Sequence, residues 1–352
     1  MRKYILLALN LAWAAGLLAQ TPVAPPAPLP KDPRALLGMA APNYNFNDPA
    51  LKPWHLKASY QLYDAKGNPS EQGIFEYWWA SPNVSRSTWT RGAASHTDWH
   101  TADGKNAYLT TGAGIEFFES KLRMALLDPL PDPGSLDPAK FNLDRDEVKA
   151  GTVKMPCVMP VPKMDQHGQT LRIPLGLFPT YCFDPVYPAL RITNSFGTVA
   201  MEFNRIVKIQ GKFLPREIDL YEGKRKILSA TVDQITMISA ANPAFTPDPQ
   251  AHFPKLSRVD ISAGVAVGML EKKVQPVYPR DAKDAGVSGT VVLKATIGRD
   301  GNVHDLSVVS GPWPSLIASA MQAVSQWHYR SYMLNGEPVE VETTINVIFS
   351  LG

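Results

Sequence analysis

Residues 289–297 read Gly-Thr-Val-Val-Leu-Lys-Ala-Thr-Ile, and residues 337–349 read Glu-Pro-Val-Glu-Val-Glu-Thr-Thr-Ile-Asn-Val-Ile-Phe. In the first run Val291, Leu293, Ala295 and Ile297 share one side, with Thr290, Lys294 and Thr296 on the other. In the second, Val339, Val341, Ile345, Val347 and Phe349 alternate with Glu340, Glu342, Thr344 and Asn346. A period of two lets one face be buried and the other wetted, so both runs predict amphipathic strands. Asp300-Gly301 tolerates the positive φ of a tight turn, and Val303, Leu306, Val308 and Val309 resume a strand, which predicts a β-hairpin. Pro314 suits a first helical turn, and Leu316, Ala320, Ala323, Val324 and Trp327 recur at the spacing of one helical face. A helix thus covers the sheet.

These signals belong to a longer ordered series. It comprises Gln275-Pro276-Val277-Tyr278-Pro279, Ala282, Gly286, Gly289, Asp300-Gly301, Ser310-Gly311, Leu316, Ala320, Ala323, Trp327 with Tyr329, Gly336 with Pro338 and Val339, and the last strand. The series resembles the C-terminal domain of TonB-type energy transducers; Ser331-Tyr332 departs from it where that family carries a proline. The resemblance implies an α+β unit over 257–352, a three-stranded antiparallel sheet packed with helices, whose rim accepts a short peptide from an outer-membrane receptor. A rim strand leaves a row of unpaired N–H and C=O groups that an extended chain can complete. Carried onto this sequence, the partner-binding residues are Gln275, Pro276, Tyr278 and Pro279, then Ile345, Asn346, Val347, Ile348 and Phe349. Core packing competes for the side chains of Tyr278, Val347 and Phe349, so the docking expectation concerns backbone groups and Gln275.

A chain of 352 residues has room for two folded units. Its net charge of +3 includes Arg2 and Lys3, so nothing suggests a nucleic-acid surface. Residues 1–19 join a basic start to an apolar run from Tyr4 to Ala19, which reads as an export signal too short to span a bilayer comfortably. The expectation is a periplasmic protein, anchored in the inner membrane if that segment is retained. In an exported chain Cys157 and Cys182 read as one disulfide, two buried thiols being the alternative.

Residues 20–53 open with the proline-rich run Pro22 to Pro33 and read as a spacer. From 54 to 239 the pattern predicts a β-rich antiparallel domain. Its expected strands are 56–63, 73–80, 84–91, 96–101, 107–111, 191–193, 198–210, 213–221 and 224–238, with a helix over 116–127 and an irregular region over 130–188. The order of strands, Phe75-x-Tyr77-Trp78-Trp79-x-Ser81-Pro82-Asn83 and Asp103-Gly104-Lys105-Asn106-Ala107-Tyr108 resemble the half-barrel of periplasmic lipoprotein carriers such as LolA, which implies a shielded acyl chain as a possible ligand. Residues 240–256 read as a proline-rich linker, and Val259-Asp260-Ile261 as the leading strand of the unit that follows. His96, Asp98 and His100 would project from one strand face like metal ligands, although a solvated polar face explains them more simply. Trp78, Trp79, Trp89 and Trp99 could line a groove, with core packing the plainer reading. With no nucleophile elbow, zinc-protease motif or phosphate loop, the chain is read as a non-enzyme with no cofactor and no metal. Its expected role is outer-membrane transport, docking onto a TonB-dependent receptor or another envelope protein; the alternatives are a periplasmic lipid or lipoprotein carrier using the N-terminal half-barrel and a metal-dependent enzyme at His96, Asp98 and His100.

Overall fold

The computed structural model describes residues 28–112, 117–163, 173, 175–195, 199–253, 258–334 and 336–351; the expected export signal lies outside them. The chain begins with α1 (Pro33–Ala40), capped by Asp32, whose carboxylate accepts from Ala35 N at 2.7 Å. There follow β1 (Trp54–Tyr63), β2 (Pro69–Ser81), β3 (Val84–Arg91), β4 (Ala94–His100), β5 (Asn106–Thr111) and α2 (Phe117–Leu127). Next come β6 (Phe141–Ala150), β7 (Val153–Pro162), β8 (Thr180–Phe183), β9 (Leu190–Ser195), β10 (Val199–Ile209), β11 (Lys212–Glu222) and β12 (Arg225–Met237). The C-terminal unit holds β13 (Arg258–Asp260), α3 (Ala263–Val267), β14 (Leu270–Lys272), α4 (Arg280–Asp284), β15 (Gly289–Ile297), β16 (Val303–Ser310), α5 (Pro314–Val324), β17 (His328–Tyr329), β18 (Tyr332–Leu334) and β19 (Glu337–Phe349).

The first twelve strands form one antiparallel sheet, ordered β5-β4-β3-β2-β1-β12-β11-β10-β9-β8-β7-β6. Register puts Trp54 beside Trp79, Leu56 beside Tyr77 and Ala58 beside Phe75 and Val232, so alternate residues build a single apolar face. Leu36 and Leu37 of α1 and Leu122 and Leu126 of α2 join that face in one core. Each such fully buried leucine contributes about 1.5–3 kcal/mol. Glu119 pins α2 down: it is buried, yet accepts from Tyr60 Oη at 2.5 Å and Arg91 Nη1 at 2.6 Å, which offsets the cost of a charge out of water. Gly73 leaves room for the Tyr60 ring, since a Cβ there would stand 2.1 Å away.

Three expectations need correction. The stretch read as a spacer folds from Pro33 on, because Leu36, Leu37 and Ala40 fall on one helical face and Tyr44, Phe46 and Leu51 follow them into the core. The region read as irregular, 130–188, contains β6, β7 and β8. Its prolines mislead: Pro156, Pro160 and Pro162 share one parity along β7, so their missing N–H groups lie along one flank, and on that strand only Cys157 and Val158 pair with β8. The small sheet is larger than three strands. It runs β13-β19-β15-β16, with β13 parallel to β19 and β18 pairing the start of β19. Three antiparallel strands run side by side in it, the leading strand expected at Val259-Asp260-Ile261 is present as β13 over Arg258–Asp260, and only β18 has no sign in the alternation.

Cys157 and Cys182 face each other across β7 and β8 and form a disulfide. The two units also share apolar packing, for Met159, Val161, Leu177 and Phe178 belong to the same core as Leu293, Leu316 and Trp327.

Reducing the disulfide should lower stability by about 3.5 kcal/mol, the chain-entropy value for this loop, read as a shifted urea midpoint with and without dithiothreitol. Gly301 sits at φ +82°, and a Cβ there would stand 1.8 Å from the Tyr329 carbonyl oxygen. Gly301→Ala should therefore cost at least about 2 kcal/mol, measured by the same denaturation.

Candidate functional site

β19 pairs on its inner flank with β15 from Val341 to Phe349. Its outer flank carries β13 at residues 340–342, and the first residues of β19, 337–339, pair with β18. Ile261 N then donates to Glu342 O at 3.0 Å, and Thr343 Oγ1 donates to Ile261 O at 3.0 Å. From Thr344 to Phe349 no strand among the described residues pairs with this flank. The expected rim is thus closed by the chain's own segment over its first half. α3 follows directly, capped by Ser262, and buries Ala266 in the same core.

Along the remaining stretch Ile345, Val347 and Phe349 are buried, while Asn346 and Ile348 point outward, Ile348 with 73% of its surface exposed. Of the Gln275–Pro279 segment, only the Tyr278 ring meets β19, packing edge to face against Phe349 with centroids 5.4 Å apart; its hydroxyl donates to the Val287 carbonyl. The rest lies along α5. Trp327 Nε1 donates to Val274 O at 2.8 Å and Ser319 Oγ to Val277 O at 2.5 Å. Gln275 is exposed, and Pro276 and Pro279 are half-buried.

His96, Asp98 and His100 share a strand face, as alternation requires, but they pair rather than converge. His96 Nε2 lies 2.8 Å from Asp98 Oδ2, and no group of three metal-ligating side chains occurs among the described residues. Trp79 and Trp89 are core, and Trp99 is buried on the opposite face, donating to Ala244 O at 3.1 Å. Trp78 is half-buried, stacked on His55 at 4.4 Å with the Arg86 guanidinium 4.4 Å from its ring.

The linker is held down as well, through the Tyr108–His252 backbone bridge. On the apolar face of the large sheet, α1 and α2 take the place an acyl chain would fill. A groove of about 180 Å³ beside Met124, Tyr181, Met201 and Phe203 remains, less than the ~300 Å³ of a small ligand pocket.

Sequence reasoning missed the polar contacts between the units. Lys121 Nζ lies 3.1 Å from Asp305 Oδ1, and Ser120 Oγ donates to His304 O at 3.1 Å. Arg299 Nη1 lies 3.6 Å from Asp98 Oδ1, with its guanidinium 4.2 Å from the centre of the Tyr108 ring. These partners are nearly two hundred residues apart, and no local pattern announces them. Burial of Asp98 opposes its charge, but the hydrogen bond from His96 and the nearby arginines hold its carboxyl below the ordinary range. Burial likewise opposes protonation of His304, yet Asp300, 3.0 Å away, raises the ring above its ordinary value; Asp300 is lowered in turn.

Residues 274–351 match the family described as Gram-negative bacterial TonB protein C-terminal. This stretch carries the TonB C-terminal domain match. Over 84 residues the chain is 32% identical to Protein TonB of Vibrio cholerae serotype O1, a match that takes in 24% of this chain and 34% of that relative. The chain thus spans about a third of the length of the curated relative it matches. The solution structure of the Pseudomonas aeruginosa TonB C-terminal domain is 28% identical and covers 23% of this chain and 84% of its own, at a TM-score of 0.21. A putative outer membrane lipoprotein-sorting protein domain from Vibrio parahaemolyticus is 8% identical over 59% of this chain and 94% of its own, at a TM-score of 0.37. At such scores the structural likenesses carry no functional argument. No helix among the described residues is long and apolar enough to cross a membrane.

The His304–Asp300 pair of the TonB C-terminal domain makes a pH signature. The stabilisation from His304 is fully present below its ordinary 6.5 and is lost as pH rises through the raised native midpoint. That from Asp300 is present above 3.8 and is lost as pH falls through its lowered one. Asp300→Asn should bring the His304 midpoint down, followed by NMR titration of the ring; an unmoved midpoint refutes the pairing.

Proposed function

We propose that this chain acts in outer-membrane transport as an envelope protein whose TonB C-terminal domain receives an extended segment of a partner. The partner is a TonB-dependent outer-membrane receptor or another envelope protein, and the chain is no enzyme. The segment adds to the outer flank of β19 at Ile345, Asn346, Val347, Ile348 and Phe349. Of Gln275, Pro276, Tyr278 and Pro279, the proposed contributors from the preceding segment, Tyr278 packs its ring on Phe349 at that end of the sheet. The observation that supports this reading is the unpaired flank from Thr344 to Phe349, in a stretch matching the TonB C-terminal family.

Main-chain hydrogen bonds supply affinity in this mode, and outward side chains tune it. Because β13 ends at Asp260 and Ile261 caps Glu342 and Thr343, an incoming strand has about six residues of β19 to pair with, Thr344 to Phe349. A bound segment is accordingly short. It lies next to α3, whose Val265 and Val267 are exposed, as is Ile348. Apolar side chains on the partner therefore suit this edge better than charged ones.

The test uses the full chain and synthetic peptides from the periplasm-facing segments of TonB-dependent receptors, titrated by calorimetry. Ile348→Lys places a charge on the edge, as natural edge strands do to repel pairing. It should weaken binding about tenfold, some 1.4 kcal/mol, with the circular dichroism spectrum unchanged. Binding of equal strength in the variant, or no binding to any such peptide, removes this reading.

A further inference from the structure

A second concave site lies between the two units, away from β19's free flank. It is a cleft of about 600 Å³, within the ~300–1,000 Å³ range of small-molecule sites. Its floor is the end of β3, β4 and β5, its wall is α2, and its roof is the turn between β15 and β16. Besides His304 Nε2, which stands 3.0 Å from the Asp300 carboxylate, two buried polar atoms in it, Arg299 Nε and Asn106 Oδ1, have no hydrogen-bond partner among the described residues. A buried donor or acceptor left unmade costs free energy, so such a pair in one cleft calls for an explanation.

Charge points the same way. Arg123, Arg258 and Arg299 line the cleft against Asp98 and Glu340, three positive side chains against two negative. Glu340 is taken by Arg258, whose Nε donates to Oε1 at 2.6 Å. Asp98 is taken by His96 and by the Nη1 edge of Arg299. The surplus cation is Arg123, which has no ion pair among the described residues and rests 5.5 Å from the centre of the Tyr77 ring.

We propose that this interdomain cleft binds a small hydroxylated oxyanion, a carboxylate or phosphate ester. Its anionic group bridges Arg123 of α2 and the free Nε–H of Arg299 in the β15–β16 turn, while a hydroxyl of the same molecule donates to Asn106 Oδ1. A guanidinium offers N–H groups in a fixed fork that matches an oxyanion, and hydrogen bonds to charged groups are the strong ones. The two arginines come from different units, so the ligand clamps the C-terminal unit onto the large sheet. Neither unit alone carries the whole site.

Calorimetry on the full chain tests this with three probes, D-glucuronate, D-glucose 6-phosphate and uncharged D-glucose. One of the two acids should bind with a Kd below about 1 mM while glucose does not, and which acid binds distinguishes a carboxylate from a phosphate ligand. Arg123→Gln, at an exposed position, and Arg299→Gln should each weaken that binding about tenfold or more. If neither acid binds more tightly than glucose, or if the bound acid loses no affinity in R123Q, the proposal is overturned. R123Q carries the test even where R299Q fails to fold, because Arg123 packs into no core.

Discussion

The pairing of β15 with β19 is the constraint on which the C-terminal unit depends. Nine consecutive residue pairs, from Gly289–Phe349 to Ile297–Val341, set one register, and that register turns Val291, Leu293, Ala295, Val341, Ile345 and Val347 toward α5 together. A slip by one residue would turn every one of them to solvent. The turn at Asp300-Gly301 is held from the far side by Tyr329 N, which donates to Gly301 O at 2.8 Å, so the hairpin and the segment after α5 brace each other.

A sheet this small has two edges to protect, and each is treated differently. β16 lies against α2, with Ser120 and Lys121 reaching the His304 carbonyl and the Asp305 carboxylate. Among the described residues the outer flank of β19 is covered by β13 and Ile261 only as far as Thr343. An open, apolar strand edge invites pairing with another chain, and bracing the first half of one edge against a helix while leaving a short stretch of the other open sets the two edges apart. Arg258 strengthens the cover by bonding Glu340 and lying 3.6 Å from Glu342. Charged residues of β19 therefore hold its own cap, and the uncharged stretch that follows is left without one.

What could be read in the sequence follows the range of the forces involved. Alternation in Val291 to Ile297 and in Val339 to Phe349, the Asp300-Gly301 turn and the face of α5 are local, and the structure has them where the pattern puts them. So are most strands of the large sheet. β6 and β7 were hidden because Pro156, Pro160 and Pro162 read as breakers when the flank they face is unknown. The helix after Pro33 was hidden because its prolines belong to the run before it. β13 was legible in Val259-Asp260-Ile261, though its parallel pairing depends on the flank that β19 offers it, whereas β18 has three residues and no alternation to speak of. The Asp98–Arg299 contact and the cleft around it depend on how two units meet, which no single-sequence pattern encodes.

The disulfide gains its meaning from that meeting. Cys157, Met159 and Val161 are alternate residues of β7 and so share one side of the strand. Cys157 packs with Met155 and Cys182, while Met159 and Val161 join the core of the C-terminal unit, and Leu175 touches both groups. β7 is tied to β8 through only two paired positions, Cys157–Cys182 and Val158–Tyr181. A strand so sparsely hydrogen-bonded on one flank would be a poor platform for a second unit, since each ladder bond contributes only about 1 kcal/mol net. The covalent bond sits at one of those two positions and fixes β7 against β8 just before the residues that the C-terminal unit rests on. The disulfide thus steadies the joint between the units as well as the large sheet.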